Sequence, residues 1–296
     1  MSTMRTLVLI HGRSQEGKDS VALKKEWLDA LHEGLRAAGL DVQVPDDKVR
    51  FPFYGDALYD LVKDATGKPA EVIIQSAGDP QAAEKEFIAS VVAETVDRVG
   101  LTEGDISSHA MDGSVVEQGV QNWPWVLAAL RALEHVPGLG SVSLALATRD
   151  VYRYLRNPGI QSYIETNVRK AFDAQGDFVL VGHSLGSVVA YDVLRRRAAV
   201  EGWSVGSFIT VGSPLAVRTI VDALAPIATP EGVQTWFNAY DRRDVVALHP
   251  LDTVHFPVDP AIENVEVENA TPNRHGIAGY LSDPVVARRI HDALTA

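Results

Sequence analysis

The stretch Asp177-Phe-Val-Leu-Val-Gly-His-Ser-Leu-Gly186 decides the fold. Its apolar run, Phe178 to Val181, is typical of a short strand that is buried on both faces. From Ser187 onward the apolar residues recur with a helical period, so a sharp turn must join the strand to a helix. Glycines at positions 182 and 186 permit the close approach of strand and helix that such a turn requires.

The five residues from Gly182 to Gly186 fit the pattern G-x-S-x-G. Because a strand precedes the pattern and a helix follows it, we predict that Ser184 is a nucleophile whose hydroxyl is held clear of the sheet. The helix N-terminus would also favour a negative charge developing beside the serine. The alternative is a glycine-rich turn whose serine only caps the helix.

At these residues the chain resembles the serine esterases and lipases of the α/β-hydrolase family, whose nucleophile turn often reads Gly-His-Ser-Leu-Gly. The resemblance covers the first strand with its loop and everything from about residue 177 to the end. It implies an α/β-hydrolase fold, with a mostly parallel central sheet flanked by helices. It also implies a catalytic triad in the chain order serine, acid, histidine.

The first predicted strand, Thr6 to Ile10, ends at a His-Gly pair. In the family such a pair opens the loop that donates one N–H group of the oxyanion hole. The resemblance therefore assigns that role to the backbone of Arg13, together with the backbone of Leu185 after the nucleophile. We interpret His11 as a structural residue that orients the loop rather than as a catalytic base.

The same loop has a second interpretation, because residues 12–18 match the start of the phosphate-binding pattern G-x-x-x-x-G-K-[ST]. Asp19 replaces the hydroxyl residue that would bind Mg²⁺, although Ser20 follows directly. No later strand ends in a clear Mg²⁺-orienting aspartate, so the sequence favours the hydrolase interpretation over nucleotide hydrolysis.

Two aspartates follow the strand predicted from Val233 to Tyr240, where a triad acid is expected. The resemblance favours Asp244, since lipase-like hydrolases often carry an aspartate followed by apolar residues at this point. Asp241 is the alternative acid, or it simply pairs with the neighbouring arginines on the surface.

His275 follows the edge strand predicted from Asn264 to Glu268 and precedes a final helix predicted from about Asp283 to Leu294. This is the expected place of the base in the α/β-hydrolase order, so we predict a triad of Ser184, Asp244 and His275. Three other histidines are less suited to the role, two because they lie in the loop after the acid and one because it lies in the final helix: His249, His255 and His291.

Further strands are predicted at Asp41–Val44 and Val205–Val211, and a helix at about Ser20–Ala38 that ends at Gly39. The long stretch between Pro45 and Gly176 exceeds what a simple crossover needs. We therefore predict one α/β-hydrolase domain over residues 1–296, with a helical cap or lid inserted at about 51–172. In many relatives the main cap follows the strand after the nucleophile, so this placement is a departure from the family pattern.

Within the insertion the apolar spacing predicts helices at residues 81–99, 126–135 and 150–155, and a last one ending at Phe172. Residues 51–56 and 100–119 are interpreted as loops, and residues 71–75 as a strand or a helical turn. Two tryptophans at 123 and 125 and the apolar run 139–148 either pack in the core or form a lid face for transient contact with lipid.

The amino-acid composition indicates which classes of binding partner and cofactor the protein is suited to. The 296 residues carry 27 basic and 39 acidic side chains, and the net charge of −12 argues against a nucleic-acid surface. There is no cysteine, which excludes disulfides and thiolate chemistry, and no histidine spacing typical of a metal site. We expect no cofactor and no metal. The absence of a signal-like or membrane-spanning segment favours a cytoplasmic location.

The predicted function is hydrolysis of carboxylic esters, small or lipid, through a Ser-His-Asp triad and an acyl-enzyme intermediate. A thioesterase or an amidase would use the same triad. A non-catalytic ligand-binding protein on the same fold is the alternative from another class. The sequence does not indicate an oligomeric state.

Overall fold

A computed structural model describes residues 4–12, 19–54, 82–110, 122–136, 141–173 and 176–296. These residues form an α/β structure around a six-stranded, all-parallel sheet in the order β2-β1-β3-β4-β5-β6. The strands are β1 (Thr6–Ile10), β2 (Val49–Arg50), β3 (Asp177–His183), β4 (Ser204–Val211), β5 (Trp236–Tyr240) and β6 (Glu263–Glu266).

Ten α-helices lie within the described residues. They are α1 (Ser20–Ala37), α2 (Ala82–Val99), α3 (Glu103–Ser107), α4 (Trp123–Glu134), α5 (Ser141–Arg156), α6 (Pro158–Arg169), α7 (Leu185–Glu201), α8 (Arg218–Leu224), α9 (Ile277–Leu281) and α10 (Pro284–Thr295). Two short 3-10 helices cover Asp46–Lys48 and Pro214–Ala216.

The middle strands are buried on both faces, as their continuous apolar runs predict. The register aligns Ile10 with Gly182 and Gly182 with Thr210, so β1, β3 and β4 end at one edge of the sheet. Since ligands of open parallel sheets bind at the carboxyl ends of the strands, this edge is where a site is expected.

Each face of the sheet has its own hydrophobic core. On one face α1, α9 and α10 pack against side chains such as Leu7 and Val179. On the other face α7 and the helices between β2 and β3 share one apolar cluster with Val8 and Phe178. The described helices of the predicted cap are therefore packed into the main core of the molecule.

A buried polar network ties these helices to α7. The Tyr154 hydroxyl in α5 donates to the Asp192 carboxylate at 2.8 Å, and Arg196 donates to the same carboxylate at 2.7 Å. Arg196 also pairs with Glu165 of α6 at 2.5 Å. Because these charged groups are paired and hydrogen-bonded to one another, the helices on this face lie in a fixed arrangement.

The predicted second strand at Asp41–Val44 is wrong. These residues belong to no strand of the sheet, and the strand beside β1 is Val49–Arg50, which aligns with Leu7 and Val8. Pro45 and the 3-10 turn after it redirect the chain before pairing begins. The other predicted strands at 205–211, 233–240 and 264–268 are found as β4, β5 and the edge strand β6, with small differences at their ends.

Three predictions in the insertion are corrected. A helix, α3, begins inside the predicted loop 100–119 and is capped by Thr102, which bonds with Asp105. The helix predicted from residue 126 begins at Trp123, because Pro124 is tolerated in a first helical turn. The helix predicted at 150–155 begins at Ser141 and includes part of the apolar run.

The candidate lid face is largely buried where it is described. Trp125 is fully buried and donates to Glu103 at 3.3 Å, and Trp123 is half-buried under Lys85. Leu144, Ala145 and Ala147 also pack inside, whereas Val142 is 37% exposed. The strand or turn predicted at 71–75 lies outside the described residues, as do residues 55–56 of the predicted aromatic loop. No helix among the described residues has the length and apolar character needed to cross a membrane.

Candidate active site

Ser184 lies at the turn between β3 and α7. Its backbone has φ 54° and ψ −130°, a conformation that a residue with a side chain adopts only under strain. The side chain makes no capping hydrogen bond to its helix, so the capping role considered from the sequence does not apply. The turn therefore places a serine hydroxyl at a helix N-terminus in a conformation that the surrounding structure must hold.

Close contacts between glycines and their neighbours leave the turn little room to relax. A methyl group at Gly186 would lie 2.6 Å from the carbonyl oxygen of His11, and closer still to that of Ile10. A methyl group at Gly12 would lie 2.8 Å from the Ser184 Cβ. Only glycine fits at either position, so the end of β1 and the turn hold each other in place.

The structure brings the three predicted residues together. The Ser184 Oγ lies 2.9 Å from His275 Nε2, and His275 Nδ1 lies 2.8 Å from Asp244 Oδ2. Ser184 is 3% exposed, His275 8% and Asp244 1%. The serine hydroxyl, imidazole and carboxylate thus form one continuous hydrogen-bonded chain.

The partners of the imidazole define its neutral tautomer. Nδ1 faces a carboxylate that can only accept, so it carries the proton and Nε2 is free to accept from the Ser184 hydroxyl. Burial by itself raises the pKa of Asp244, but His275, the Tyr280 hydroxyl and the backbone N–H of Val246 together bring that pKa below its usual value. The carboxylate therefore remains charged beside His275.

Asp241, the alternative acid, has a different role. Its Oδ1 accepts from the backbone N–H of Arg243 at 2.7 Å, and its Oδ2 accepts from that of Asn269 at 2.8 Å. Although Arg243 also approaches it, the aspartate is buried rather than placed in a surface ion pair. It joins the loop after β5 to the loop that carries His275.

The other candidate bases have partners elsewhere. His249 bonds with Glu94 of α2 at 2.9 Å and stacks on His255, which bonds with Asp252 at 2.8 Å. His291 bonds with its neighbour Asp292 in α10. None of these hydrogen bonds connects to the hydrogen-bonded series formed by Ser184, His275 and Asp244.

His11 is built into the structure in the way expected of an orienting residue. Its Nε2 accepts from the backbone N–H of Tyr54 at 3.2 Å, so its Nδ1 carries the proton and donates to the Gly12 carbonyl at 2.7 Å. The Tyr54 hydroxyl donates to the His11 carbonyl. Burial lowers the pKa of His11 to about 4, which keeps the ring neutral.

One predicted donor of the oxyanion hole is described. Leu185 is the first residue of α7, and a first helical N–H has no acceptor within its own helix. Arg13, the other predicted donor, lies outside the described residues, as do residues 13–18 of the phosphate-loop interpretation. Asp19 is described and caps α1 by accepting from the Val21 N–H at 3.0 Å.

Two residues that contact the triad were not identified from the sequence. The Tyr280 hydroxyl donates to Asp244 Oδ2 at 2.7 Å, and His183 Nε2 lies 2.8 Å from the His275 carbonyl oxygen. Burial, and after it the nearby His275, lowers the pKa of His183 to about 3, so the neutral ring donates from Nε2. The position of His183 beside Ser184 was the only indication of its role in the sequence.

The described residues contain no group of three or more acidic or histidine side chains that could hold a metal ion. No protein-family model matches this chain, and no curated protein or solved structure is significantly similar to it. The argument about function therefore depends on the geometry of the site.

Proposed function

We propose that the protein is a serine hydrolase of the α/β-hydrolase type that cleaves carboxylic esters. Ser184 is the nucleophile, His275 the general base and acid, and Asp244 the residue that orients the imidazole. The observation that carries the proposal is the continuous chain of hydrogen bonds from Ser184 Oγ through His275 to Asp244, with separations of 2.9 and 2.8 Å.

In the first half-reaction His275 Nε2 takes the Ser184 proton while Oγ attacks the ester carbonyl carbon. Asp244 stabilises the imidazolium that forms, because its carboxylate faces the protonated Nδ1. The tetrahedral oxyanion lies near the Leu185 N–H, and one such donor contributes ~3 kcal/mol to transition-state stabilisation. The imidazolium then protonates the leaving alcohol, and an acyl-enzyme remains.

In the second half-reaction the same groups act on water. His275 Nε2 removes a proton from a water molecule, whose oxygen attacks the acyl carbonyl carbon. The proton then returns to Ser184 Oγ as the carboxylic acid leaves. No metal or cofactor takes part in either step.

The strained turn favours a catalytic protein over a binding protein on the same fold. A serine with positive φ costs on the order of 1–3 kcal/mol of stability, and a ligand-binding serine does not require it. Thioesters and amides present the same carbonyl carbon to the nucleophile and remain alternative substrates. Because most apolar side chains in the described part of the cap are packed inside, we favour small esters over lipid aggregates.

The proposal is tested by labelling the protein with a fluorophosphonate probe, which reacts with activated serines. We expect the native protein to be labelled and the Ser184→Ala variant to be unlabelled. The control is Ser90→Ala, since Ser90 is a half-buried residue of α2 whose hydroxyl donates to the Glu86 carbonyl of the same helix. A folded native protein that is not labelled, with or without detergent, would refute the proposal.

A panel of p-nitrophenyl esters of increasing acyl length then defines the substrate. We expect the highest kcat/KM for short acyl chains, and hydrolysis of thioesters and anilides is measured beside it. Equal or faster turnover of the amide substrates would replace the esterase assignment with an amidase assignment. A preference for long chains at a lipid surface would contradict the choice of small esters.

A further inference from the structure

We propose that Tyr280 is a positioning residue that holds the Asp244 carboxylate in its orientation towards His275. This inference rests on the proposed function for its catalytic meaning, and on the geometry of the site for its evidence. The sequence contains no motif that marks Tyr280, which lies 36 residues beyond Asp244 in the five-residue helix α9.

The hydroxyl of Tyr280 shares one carboxylate oxygen with the imidazole. It donates to Asp244 Oδ2 at 2.7 Å, and His275 Nδ1 donates to the same oxygen at 2.8 Å. The other oxygen, Oδ1, accepts from the backbone N–H groups of Val246 and Ala247 at 2.9 and 3.3 Å. All four donors act together, so the carboxylate cannot rotate without losing some of them.

The tyrosine is itself fixed on several sides. Its side chain is fully buried, and a methyl group at Gly212 would lie 2.8 Å from its Cε2. The hydroxyl accepts from the Asp241 N–H at 3.3 Å, so its own proton points to Asp244. Burial and the charge of Asp244 raise the pKa of Tyr280 far above its ordinary value, and the hydroxyl remains a donor.

A second pair with the same chemistry lies away from the triad. The Tyr154 hydroxyl donates to Asp192 Oδ2 at 2.8 Å, and Tyr154 is also fully buried. Tyr154→Phe and Tyr280→Phe therefore remove the same group from the same kind of environment. Only the second variant should alter the triad, which separates positioning from stability.

The sign of the effect distinguishes two roles of the Tyr280 hydroxyl. If the hydroxyl positions the carboxylate, its removal lets Oδ2 turn away from His275, and the hydrogen bond from Nδ1–H weakens. If the hydroxyl only shares the charge of a carboxylate that its other contacts hold in place, its removal leaves Oδ2 a stronger acceptor and the same hydrogen bond strengthens. If Tyr280 acts only through its ring, Tyr280→Phe keeps the ring and the hydrogen bond does not change.

The other groups near the imidazole do not change in this comparison. Asp244 faces Nδ1 and Ser184 faces Nε2. The neutral ring of His183, the last residue of β3, lies 4.8 Å from the His275 ring. Asp241 contacts the tyrosine hydroxyl only through its backbone N–H. A shift between the native protein and Tyr280→Phe therefore reports on the shared carboxylate oxygen.

The experiment compares the native protein, Tyr280→Phe and Tyr154→Phe. Urea unfolding first shows that both variants are folded. Proton NMR then follows the downfield resonance of His275 Nδ1–H, assigned by its loss in His275→Gln, and the rate of fluorophosphonate labelling is measured. For Tyr280→Phe we expect the resonance to move upfield or to broaden, because the Asp244 carboxylate is no longer held towards His275. We also expect labelling about tenfold slower, or ~1.4 kcal/mol.

For Tyr154→Phe we expect the native resonance and the native labelling rate. The inference is overturned if Tyr280→Phe behaves like Tyr154→Phe, or if its resonance moves further downfield while the protein is folded. The resonance does not depend on turnover. An upfield shift in a protein that is never labelled would support the positioning of Asp244 and refute the hydrolase function.

Discussion

The replacement of Asp244 by asparagine tests the acid of the proposed triad most directly. Asparagine has nearly the same shape, but in place of one carboxylate oxygen it carries an NH₂ group that can only donate. Four donors now point at the carboxylate: two backbone N–H groups at Oδ1, and the His275 Nδ1 and Tyr280 hydroxyl at Oδ2. Whichever way the amide is oriented, its NH₂ group faces two donors.

The magnitude follows from this conflict. A hydrogen bond to a charged group contributes roughly 1.5–3 kcal/mol, so losing two at Asp244 costs about 3–6 kcal/mol of stability before relaxation. His275 can relieve the conflict by moving its proton to Nε2, but that nitrogen then cannot accept from Ser184. We therefore expect labelling of the folded variant to fall about 10⁴-fold.

The assay is the second-order rate of fluorophosphonate labelling, with urea unfolding measured in parallel. Asp241→Asn is the matched control, because Asp241 accepts backbone N–H bonds from Arg243 and Asn269 and pairs with the Arg243 side chain at 3.6 Å, and makes no hydrogen bond to His275. It should lose about 1.5–3 kcal/mol of stability and keep a labelling rate near the native value. Native-like labelling of Asp244→Asn, or equal losses in both variants, would refute the assignment of the acid.

Two further predictions concern the turn and the buried histidines. Gly186→Ala should lower the free energy of unfolding by about 3 kcal/mol or more, because its methyl group meets backbone of β1. In Gly104→Ala of α3 the methyl group would meet only the Thr102 Oγ1 at 3.6 Å, an ordinary contact, so this variant should be neutral or slightly stabilising, and equal urea midpoints for the two variants would contradict the close contact at Gly186. Burial, the largest cause for each, lowers the pKa of His11 to about 4 and that of His183 to about 3. In the unfolded chain each histidine becomes protonated as the pH falls below ~6.5, whereas in the folded protein it stays neutral. The free energy of unfolding is therefore highest above that pH, and each histidine lowers it by ~1.4 kcal/mol per pH unit until the pH reaches the pKa of the folded state. In His183→Gln the slope of unfolding free energy against pH should decrease by that amount, and an unchanged slope would show that the ring is not buried in neutral form.

The sequence predicted those parts of the fold where local pattern and final environment agree. The run before Ser184 is continuously apolar because β3 is buried on both faces, and this environment also makes it a middle strand. The order of serine, acid and histidine along the chain placed Asp244 and His275 near the correct strand ends. Asp241 and Asp244 were distinguished only by resemblance, since their difference lies in which donors surround them.

The features that the sequence missed depend on distant contacts. The two residues of β2 carry no periodic pattern, and only pairing with β1 makes them a strand, whereas Val42 and Val44 suggested a strand that finds no neighbour. Tyr280 lies in a short helix with no motif around it. Its contact with Asp244 arises because α9 packs behind the site, which no local spacing reveals.

The position of β1 between β2 and β3 also has a consequence for folding. Arg5 beside β1 pairs with Asp177, 172 residues later, so the two strands meet only after a very long loop is closed. Contacts so distant in sequence slow folding, whereas β3 to β6 follow one another and need only short closures. The strained backbone of Ser184 is held by contact between Gly186 and the end of β1. We therefore expect Ser184 to reach its strained conformation in one of the last steps of folding, and a chain lacking its first strand to carry Ser184, Asp244 and His275 without an ordered serine.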